Sequence, residues 1–407
     1  MRIGVITAEF PRLSETFVSG PVIELLQRGH DVHVFSRRPR DEGGRFSSKA
    51  AEQILSDRVH YIPDFSRSAL SQARSIITNE LPRGWGLPFY LPRAAQLCVH
   101  EGKDLSILSY LIASLIQRNG PFDALHAHFL DMWLPLAYAL KLQKSQTRCV
   151  VTFHGHDVNR RQISAKSNRR VERLVNSNFE FTANTRFTRK QAMKLGIPKD
   201  RIRIVPAPVE VEDIAYKERV KPASGPIHIL SIGRLVEKKG MSQLISAMPK
   251  VLRKHDCRLH IVGGGPLKEE LETLVEKIHV QHAVILHGWS DRAEILRMLD
   301  QSHIFVLASV TASDGDREGQ GVVLQEAQAA GLPVVSTFHN GIPDGVLDGV
   351  SGKLLEEGNV DALADGIIEI LDNSNRWVAM GRNGSEFVRT TYSTKSIVDS
   401  YLRLYGA

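Results

Sequence analysis

The sequence predicts an α/β chain of two Rossmann-like domains facing each other, and three observations carry that reading. Short apolar runs alternate with helical patterns along nearly the whole length. The 407 residues favour two domains over one. A polar, proline-bounded stretch from Pro206-Ala207-Pro208 to Pro226 interrupts the alternation, which then starts again. Two such domains place a ligand in the cleft at the carboxyl ends of their strands.

Ile3–Thr7 is apolar from the outset and reads as a strand. Roughly Glu15–Arg28 has helical spacing and is stopped by Gly29. Val32–Ser36, Ala124–Ala127, Cys149–Phe153 and Phe179–Ala183 are the further strands of the first half. Helices are expected over Leu105–Arg118, Leu134–Leu142 and Thr188–Leu195. The second half repeats the theme more cleanly, with strands at Ile227–Ile232, Arg258–Val262, Val284–Leu286, Ile304–Leu307 and Pro333–Thr337. Its helices are Met241–Lys254, Leu267–Ile278, Arg292–Leu299, Val322–Ala330, Val360–Leu371 and Ser396–Tyr405. The chain therefore divides into a first domain over 1–205, a linker over 206–225 and a second domain over 226–380. Residues 381–407 form C-terminal helices that are free to return to the first domain.

Composition excludes several classes. With 42% hydrophobic and 24% charged residues the chain can bury a large core, and disorder is not indicated. The three cysteines, Cys98, Cys149 and Cys257, are odd in number and far apart, which excludes a disulfide framework and implies a reducing compartment. The most apolar long segment, Leu105–Ile116, is too short to span a bilayer and contains three serines. The first residues read as a strand and not as a signal peptide, so a cytosolic protein is expected.

Charge is unevenly placed. Residues 1–200 hold 29 Lys+Arg against 18 Asp+Glu, whereas residues 201–407 hold 23 against 27. The surplus is densest at Arg160, Arg161, Lys166, Arg169, Arg170 and Arg173, with a second group at Arg37, Arg38 and Arg40. An anionic membrane surface or an acidic substrate answers to it, as does a solvated helix face. No nucleic-acid module appears, so nucleic acid is not an expected partner.

The segment Glu318-Gly-Gln-Gly-Val-Val-Leu-Gln-Glu326 carries the most chemistry. Gly319 and Gly321 lead into an apolar helix ended by Gly331 and Pro333. Glycine-rich backbone at a helix N-terminus offers free N–H groups to a phosphate. Carboxylates on either side of that turn then suit hydroxyls, an arrangement that fits a sugar on a nucleoside diphosphate. An isolated pair at this spacing reads more often as two solvated glutamates. Context comes from Gly233-Arg234-Leu-Val-Glu-Lys238-Lys239-Gly240, which follows a strand of the same expected sheet. Its arginine fork and lysine point charge make a diphosphate clamp, and both loops would open on one edge.

Other motifs are weaker. Val262-Gly263-Gly264-Gly265-Pro266 lacks the spacing of a dinucleotide fingerprint, and Pro266 at a first helical position explains it structurally. His154 closes a strand at the expected cleft edge, where an imidazole can meet a sugar hydroxyl. His126 and His128 read as structural. Asp314-Gly315-Asp316 suggests a metal pair, but Arg234 and Lys239 already neutralise a diphosphate, so no metal is called for.

Together, Gly233-Arg234…Lys239-Gly240, Val262–Pro266, Glu318/Glu326, Gly331-Leu-Pro-Val-Val, Gly341-Ile-Pro-Asp344 and Gly352-Lys-Leu-Leu resemble the retaining glycosyltransferases of family 4, which have the GT-B fold. The resemblance covers essentially the whole chain. Phe10-Pro-Arg-Leu-Ser-Glu-Thr16-Phe17 and Ser313–Gly319 are similar to the branch that builds exopolysaccharides such as colanic acid.

The resemblance implies an acceptor-side first domain and a second domain that binds the nucleotide sugar. Arg234 and Lys239 would hold the donor diphosphate, with Gly233 beside them. Glu318 would contact the donor sugar and Glu326 the ribose. Gly319, Gln320, Gly321 and Val322 would touch the phosphates, and His154 the sugar. It also implies metal-independent transfer of a hexose to a saccharide, expected to be lipid-linked, with no cofactor. The enzyme would work in the cytoplasm, with peripheral attachment to the inner membrane face open to it.

The chain departs from the family at three places. It lacks the N-terminal Gly-Gly pair, for which Ser14 and Thr16 stand in. Gln320-Gly321 replaces Phe-Gly or Ile-Pro, and Asp344 replaces a glutamate. Two other readings remain: a nucleotide-sugar epimerase of the same fold, and a non-catalytic nucleotide-sugar-binding protein.

Overall fold

The computed structural model describes residues 1–12, 16–37, 49–62, 107–159 and 172–407. Contacts divide the chain into two compact units. Met1–Asn184, Arg189–Pro208 and Ile397–Ala407 form one, and Thr185–Thr188 with Val209–Ser396 form the other.

The first unit is built on β1 (Arg2–Glu9), β2 (Asp31–Arg37), β3 (Val59–Tyr61), β4 (Ala124–His128), β5 (Arg148–Phe153), β6 (Glu180–Ala183) and β7 (Ile202–Ile204). These strands lie in the order β3-β2-β1-β4-β5-β6-β7, every pair parallel. Its described helices are α1 (Thr16–Gln27), α2 (Lys49–Leu55), α3 (Ile107–Asn119), α4 (Leu130–Gln143), α5 (His156–Asn159) and α6 (Arg186–Lys194). The last of these begins in the stretch assigned to the second unit. The central strands are near-continuous apolar runs because helices cover both faces of a parallel sheet. Ile3, Ile6, Leu125, Val150 and Val151 are fully buried, each contributing about 1.5–3 kcal/mol relative to exposure.

The second unit contains β8 (Ile227–Ile232), α7 (Met241–Leu252), β9 (Cys257–Val262), α8 (Lys268–Lys277), β10 (Val284–Gly288), α9 (Arg292–Gln301), β11 (Ile304–Leu307), α10 (Val322–Ala329) and β12 (Val334–Thr337). It continues with β13 (Gly352–Leu355), α11 (Val360–Asp372), α12 (Trp377–Thr391) and α13 (Thr394–Tyr405), the last mostly counted with the first unit. The strand order is β10-β9-β8-β11-β12-β13, again all parallel. In each sheet the chain builds outward from one strand and then returns to that strand's other side. The switch falls between β1 and β4 in one sheet and between β8 and β11 in the other. Beside such a switch the loops at the strand carboxyl ends part, and ligands of open α/β sheets bind there.

Four features differ from the sequence reading. Residues 209–225, read as linker, are packed on the second unit. Val209, Val211 and Ile214 are buried in its core, and the buried Arg219 donates to the carbonyls of Asp300 (2.6 Å) and Ala330 (2.7 Å). Pro266 lies before the N-cap residue Leu267, not at the first helical position, because α8 starts at Lys268. The helix expected from Leu134 begins a turn earlier, at Leu130. Finally, α2, α5, β3, β7 and β13 were not anticipated as elements, and α12 begins at Trp377, ahead of the C-terminal helices expected from 381.

Ser14, Arg38, Arg40, Cys98 and five of the six densest basic residues, Arg160, Arg161, Lys166, Arg169 and Arg170, lie outside the described residues. Among the described residues no helix is long and apolar enough to cross a membrane.

Candidate active site

At the carboxyl end of β8 a single 3-10 turn, Glu237–Lys239, closes on Gly240 at φ 64°. A Cβ at Gly240 would stand 1.7 Å from the Ala308 carbonyl, so only glycine lets this loop lie against the end of β11. The Val310 N–H then donates to the Lys238 carbonyl (3.0 Å), joining the two loops across the switch. The Lys239 stem runs over Gly233, where a Cβ would crowd its methylenes at 3.3–3.5 Å. Its ammonium reaches Glu318 in an ion pair, with both side chains only 13% exposed.

Glu318 is itself held. Its N–H donates to His339 Nε2 (3.1 Å), which also faces the Asn340 amide (2.6 Å). Facing donors, Nε2 is the acceptor, so the proton sits on Nδ1 and is donated to the Glu357 carboxylate at 2.8 Å. Burial pushes the Glu318 carboxyl up, but Lys239, with Lys238 and His339, outweighs it and leaves the group below its ordinary value. Glu318 is therefore a carboxylate at neutral pH.

The rest of the expected phosphate loop is close by in the chain. Gly321 is the N-cap of α10 at φ 72°, and no side chain caps the helix, which leaves its first N–H groups to a ligand. Gln320 is buried and Val322 half-buried. Arg234 is exposed and makes no side-chain ion pair or hydrogen bond with another described residue. Asp316 pairs with Lys238 of the loop after β8 (3.2 Å) and Asp314 accepts the Asp316 N–H (2.8 Å), so both acids are engaged.

The triple-glycine loop has a bracing role. Gly263 sits at φ 145°, a Cβ there would meet the Gly233 carbonyl at 1.9 Å, and the Leu235 N–H donates to the Gly264 carbonyl (2.9 Å). It supports the Arg234–Lys239 loop from behind.

Glu326 lies one helical stretch further on. Its carboxylate accepts from Arg292 at 2.6 Å, a partner the sequence reading missed. Burial raises the Glu210 carboxyl, Arg292 opposes that, and Asp213, Glu326 and Glu212 add to it. Two acids thus gather about one arginine. Arg292 opens the helix after β10, on the same sheet edge as Lys239, and that position was the available signal. Asp344 receives the Arg186 guanidinium in an ion pair, and its carbonyl accepts from the Tyr392 hydroxyl at 2.6 Å.

In the first unit, His154 follows β5. Its backbone N–H and that of Gly155 donate to Asp157 Oδ1 (3.1 and 3.0 Å), while Asp157 Oδ2 takes the Leu130 N–H (2.8 Å). The imidazole packs against Phe17 and Phe129, with ring centroids 4.5 and 4.7 Å away, and its Nε2 hydrogen bonds with His128 Nδ1 at 3.0 Å. Burial pushes His154 well below its ordinary value and His128 down to about 3, so both are neutral. His128, read as structural, orients the predicted site histidine. His126 bonds Tyr405 and Thr152, both at 2.6 Å, and is structural. Thr16 opens α1 and is half-buried.

Comparison with known proteins now adds to this geometry. Residues 15–213 match the model described as Glycosyltransferase Family 4, and residues 213–387 match that of the group 1 glycosyl transferases. The amylovoran biosynthesis glycosyltransferase AmsK of Erwinia amylovora is 32% identical over 373 residues, 89% of each chain. The chain belongs to glycosyltransferase family 4.

WcaL of Salmonella typhimurium, named as a glycosyltransferase of colanic acid biosynthesis, is 29% identical over 381 residues, covering 91% of this chain and 90% of that one. The structure of Anabaena HepE in complex with UDP superposes with a TM-score of 0.70 over the full length of both chains, at 16% identity. At that identity it supports the GT-B fold of this family 4 enzyme and nothing further. The relatives are named as transferases, which favours transfer over the epimerase reading.

Proposed function

We propose that this family 4 enzyme transfers a hexose from a nucleoside-diphosphate sugar to a lipid-linked saccharide in exopolysaccharide synthesis. The buried Lys239–Glu318 pair beside the β8/β11 switch carries the reading. It sets a cation for diphosphate oxygens next to an ionised carboxylate for sugar hydroxyls, in a loop fixed by His339 and Glu357. The names of AmsK and WcaL, tied to amylovoran and colanic acid biosynthesis, support the product class. The UDP bound to Anabaena HepE supports a nucleotide donor.

In this reading Lys239 and Arg234 hold the diphosphate, and Gly319, Gln320, Gly321 and Val322 present backbone to it. Glu318 accepts from donor sugar hydroxyls, and Glu326 with Arg292 faces the ribose. His154 meets the sugar through Nδ1, since Nε2 is bonded to His128. The acceptor hydroxyl attacks the anomeric carbon on the face the diphosphate leaves. The carbon–phosphate oxygen bond breaks, the departing oxygen takes the hydroxyl proton, and configuration is retained. Lys239 and Arg234 stabilise the charge that develops on the leaving group, so no metal or cofactor is assigned a step. The enzyme acts at the cytoplasmic membrane face, where a lipid-linked acceptor is found.

Turnover of UDP- and GDP-sugars, with product anomers read by NMR, tests this. We expect retained configuration, a rate unchanged by EDTA, and loss of most activity in Glu318→Gln while nucleoside diphosphate still raises the melting temperature. A Glu318→Gln enzyme as fast as wild type, or an inverted product, would overturn the reading.

A further inference from the structure

The first unit holds a basic cavity that this transfer leaves unused. It lies at the amino ends of β5, β6 and β7, where Arg148, Glu180 and Arg203 stand. Lys141 and Lys144 at the end of α4 and Arg403 on α13 complete its rim, and its volume is about 790 Å³. His154 follows the opposite end of β5, whose six residues span roughly 20 Å at the usual rise per residue. None of the residues assigned to the transfer lines the cavity.

Five cationic side chains and one acid make up its charge. The ends of two helices explain part of this, because a helix C-terminus attracts cations. Lys144 is the C-cap of α4, and Arg148 donates to the Leu404 carbonyl near the end of α13 at 3.4 Å. Each helix end carries about half a negative charge, so with Glu180 they neutralise about two of the five cations. A net charge of about +3 remains around a concave opening of the size small ligands occupy. Lys144, Arg148, Arg203 and Arg403 form no ion pair with another described residue. Three of them carry planar guanidinium forks, the geometry that matches phosphate oxygens.

We propose that this cavity is a second binding site, for a pyrophosphate or phosphate-ester group. A soluble diphosphate and a phospholipid headgroup present the same chemistry, and two probes separate them. Calorimetry with inorganic pyrophosphate at low salt should find two sites per chain in the wild type and one in Arg203→Ala/Arg403→Ala if the source is soluble. Retention on phosphatidylglycerol vesicles should fall at least about tenfold in the variant if the source is lipid, as for the loss of charge-assisted contacts. Both arginines are exposed, and stabilisation of the variant by nucleoside diphosphate checks its fold. Lys144→Ala/Arg203→Ala serves as a second variant with the same expectation. The proposal is overturned if wild type binds neither probe beyond one pyrophosphate per chain, or if the variants bind both as wild type does.

Discussion

Lys239→Ala isolates the charge that holds Glu318, and its consequences follow from burial. Both side chains are 13% exposed. Breaking a buried pair by removing one partner costs about 3–5 kcal/mol, and an exposed pair is worth about 0.2–1 kcal/mol. Discounting for the residual solvent, we expect a loss of about 2–3 kcal/mol. For a unit of this size that lowers the melting temperature by about 4–12 °C.

The pH dependence is the sharper signature. In the wild type the folded Glu318 carboxyl lies below its ordinary value of 4.5 because Lys239 outweighs burial. Its stabilisation is therefore complete above the unfolded value and is lost as pH falls through the folded one. Without Lys239, burial is opposed only by Lys238 and His339, and the carboxyl rises. A folded value above the unfolded one reverses the sign, so the variant loses stability as pH climbs from about 4.5 through the raised value. Adding Glu318→Gln removes the titrating group and should flatten that slope. Transfer by Lys239→Ala should fall about 10- to 150-fold, the equivalent of one charged hydrogen bond to the diphosphate. Thermal melts from pH 4 to 8 on wild type, single and double variants decide the matter. A Lys239→Ala curve parallel to wild type, or a double variant no more stable than the single one at pH 8, would refute the reasoning.

Two further outcomes are expected. His128→Leu leaves the Nε2 of a neutral, half-buried His154 without its partner, at a cost of about 1–3 kcal/mol. Its kcat should drop about tenfold and partly recover in His128→Asn; unchanged kinetics would remove His128 from any orienting role. Arg292→Ala takes the shared cation from Glu326 and Glu210, so donor KM should rise about tenfold with a smaller change in kcat. Arg292→Lys should restore part of the affinity, and an unaltered donor KM would separate Arg292 from the ribose site.

How much was legible in the sequence depends on whether a feature is local. β8 and β11 are legible with their observed bounds because β11 is a continuous apolar run and β8 is apolar at Ile227, Ile229, Leu230 and Ile232. β3 and β7 have three residues each, too few for any period, and the start of α12 at Trp377 lies ahead of the expected 381 because it is marked by tertiary burial of Trp377 and Met380 and not by a side-chain cap. The site divides the same way. Lys239 and Glu318 were visible because each belongs to a loop with a recognisable glycine frame. Arg292, Glu210, His339 and His128 were missed, since each matters only through a partner from another loop or strand.

What joins the local pieces is strand order. Spacing shows that two loops follow two strands; it does not show that β11 lies beside β8 while β9 and β10 lie on its other side. Only in that order does the ammonium after the first strand meet the carboxylate after the fourth. The same order explains why Gly240 is needed, since the Ala308 carbonyl it avoids belongs to the end of β11. The ion pair is thus a property of the topology before it is one of the motif. A substitution that moved β11 by the width of one side chain would disable the clamp while leaving every motif residue in place.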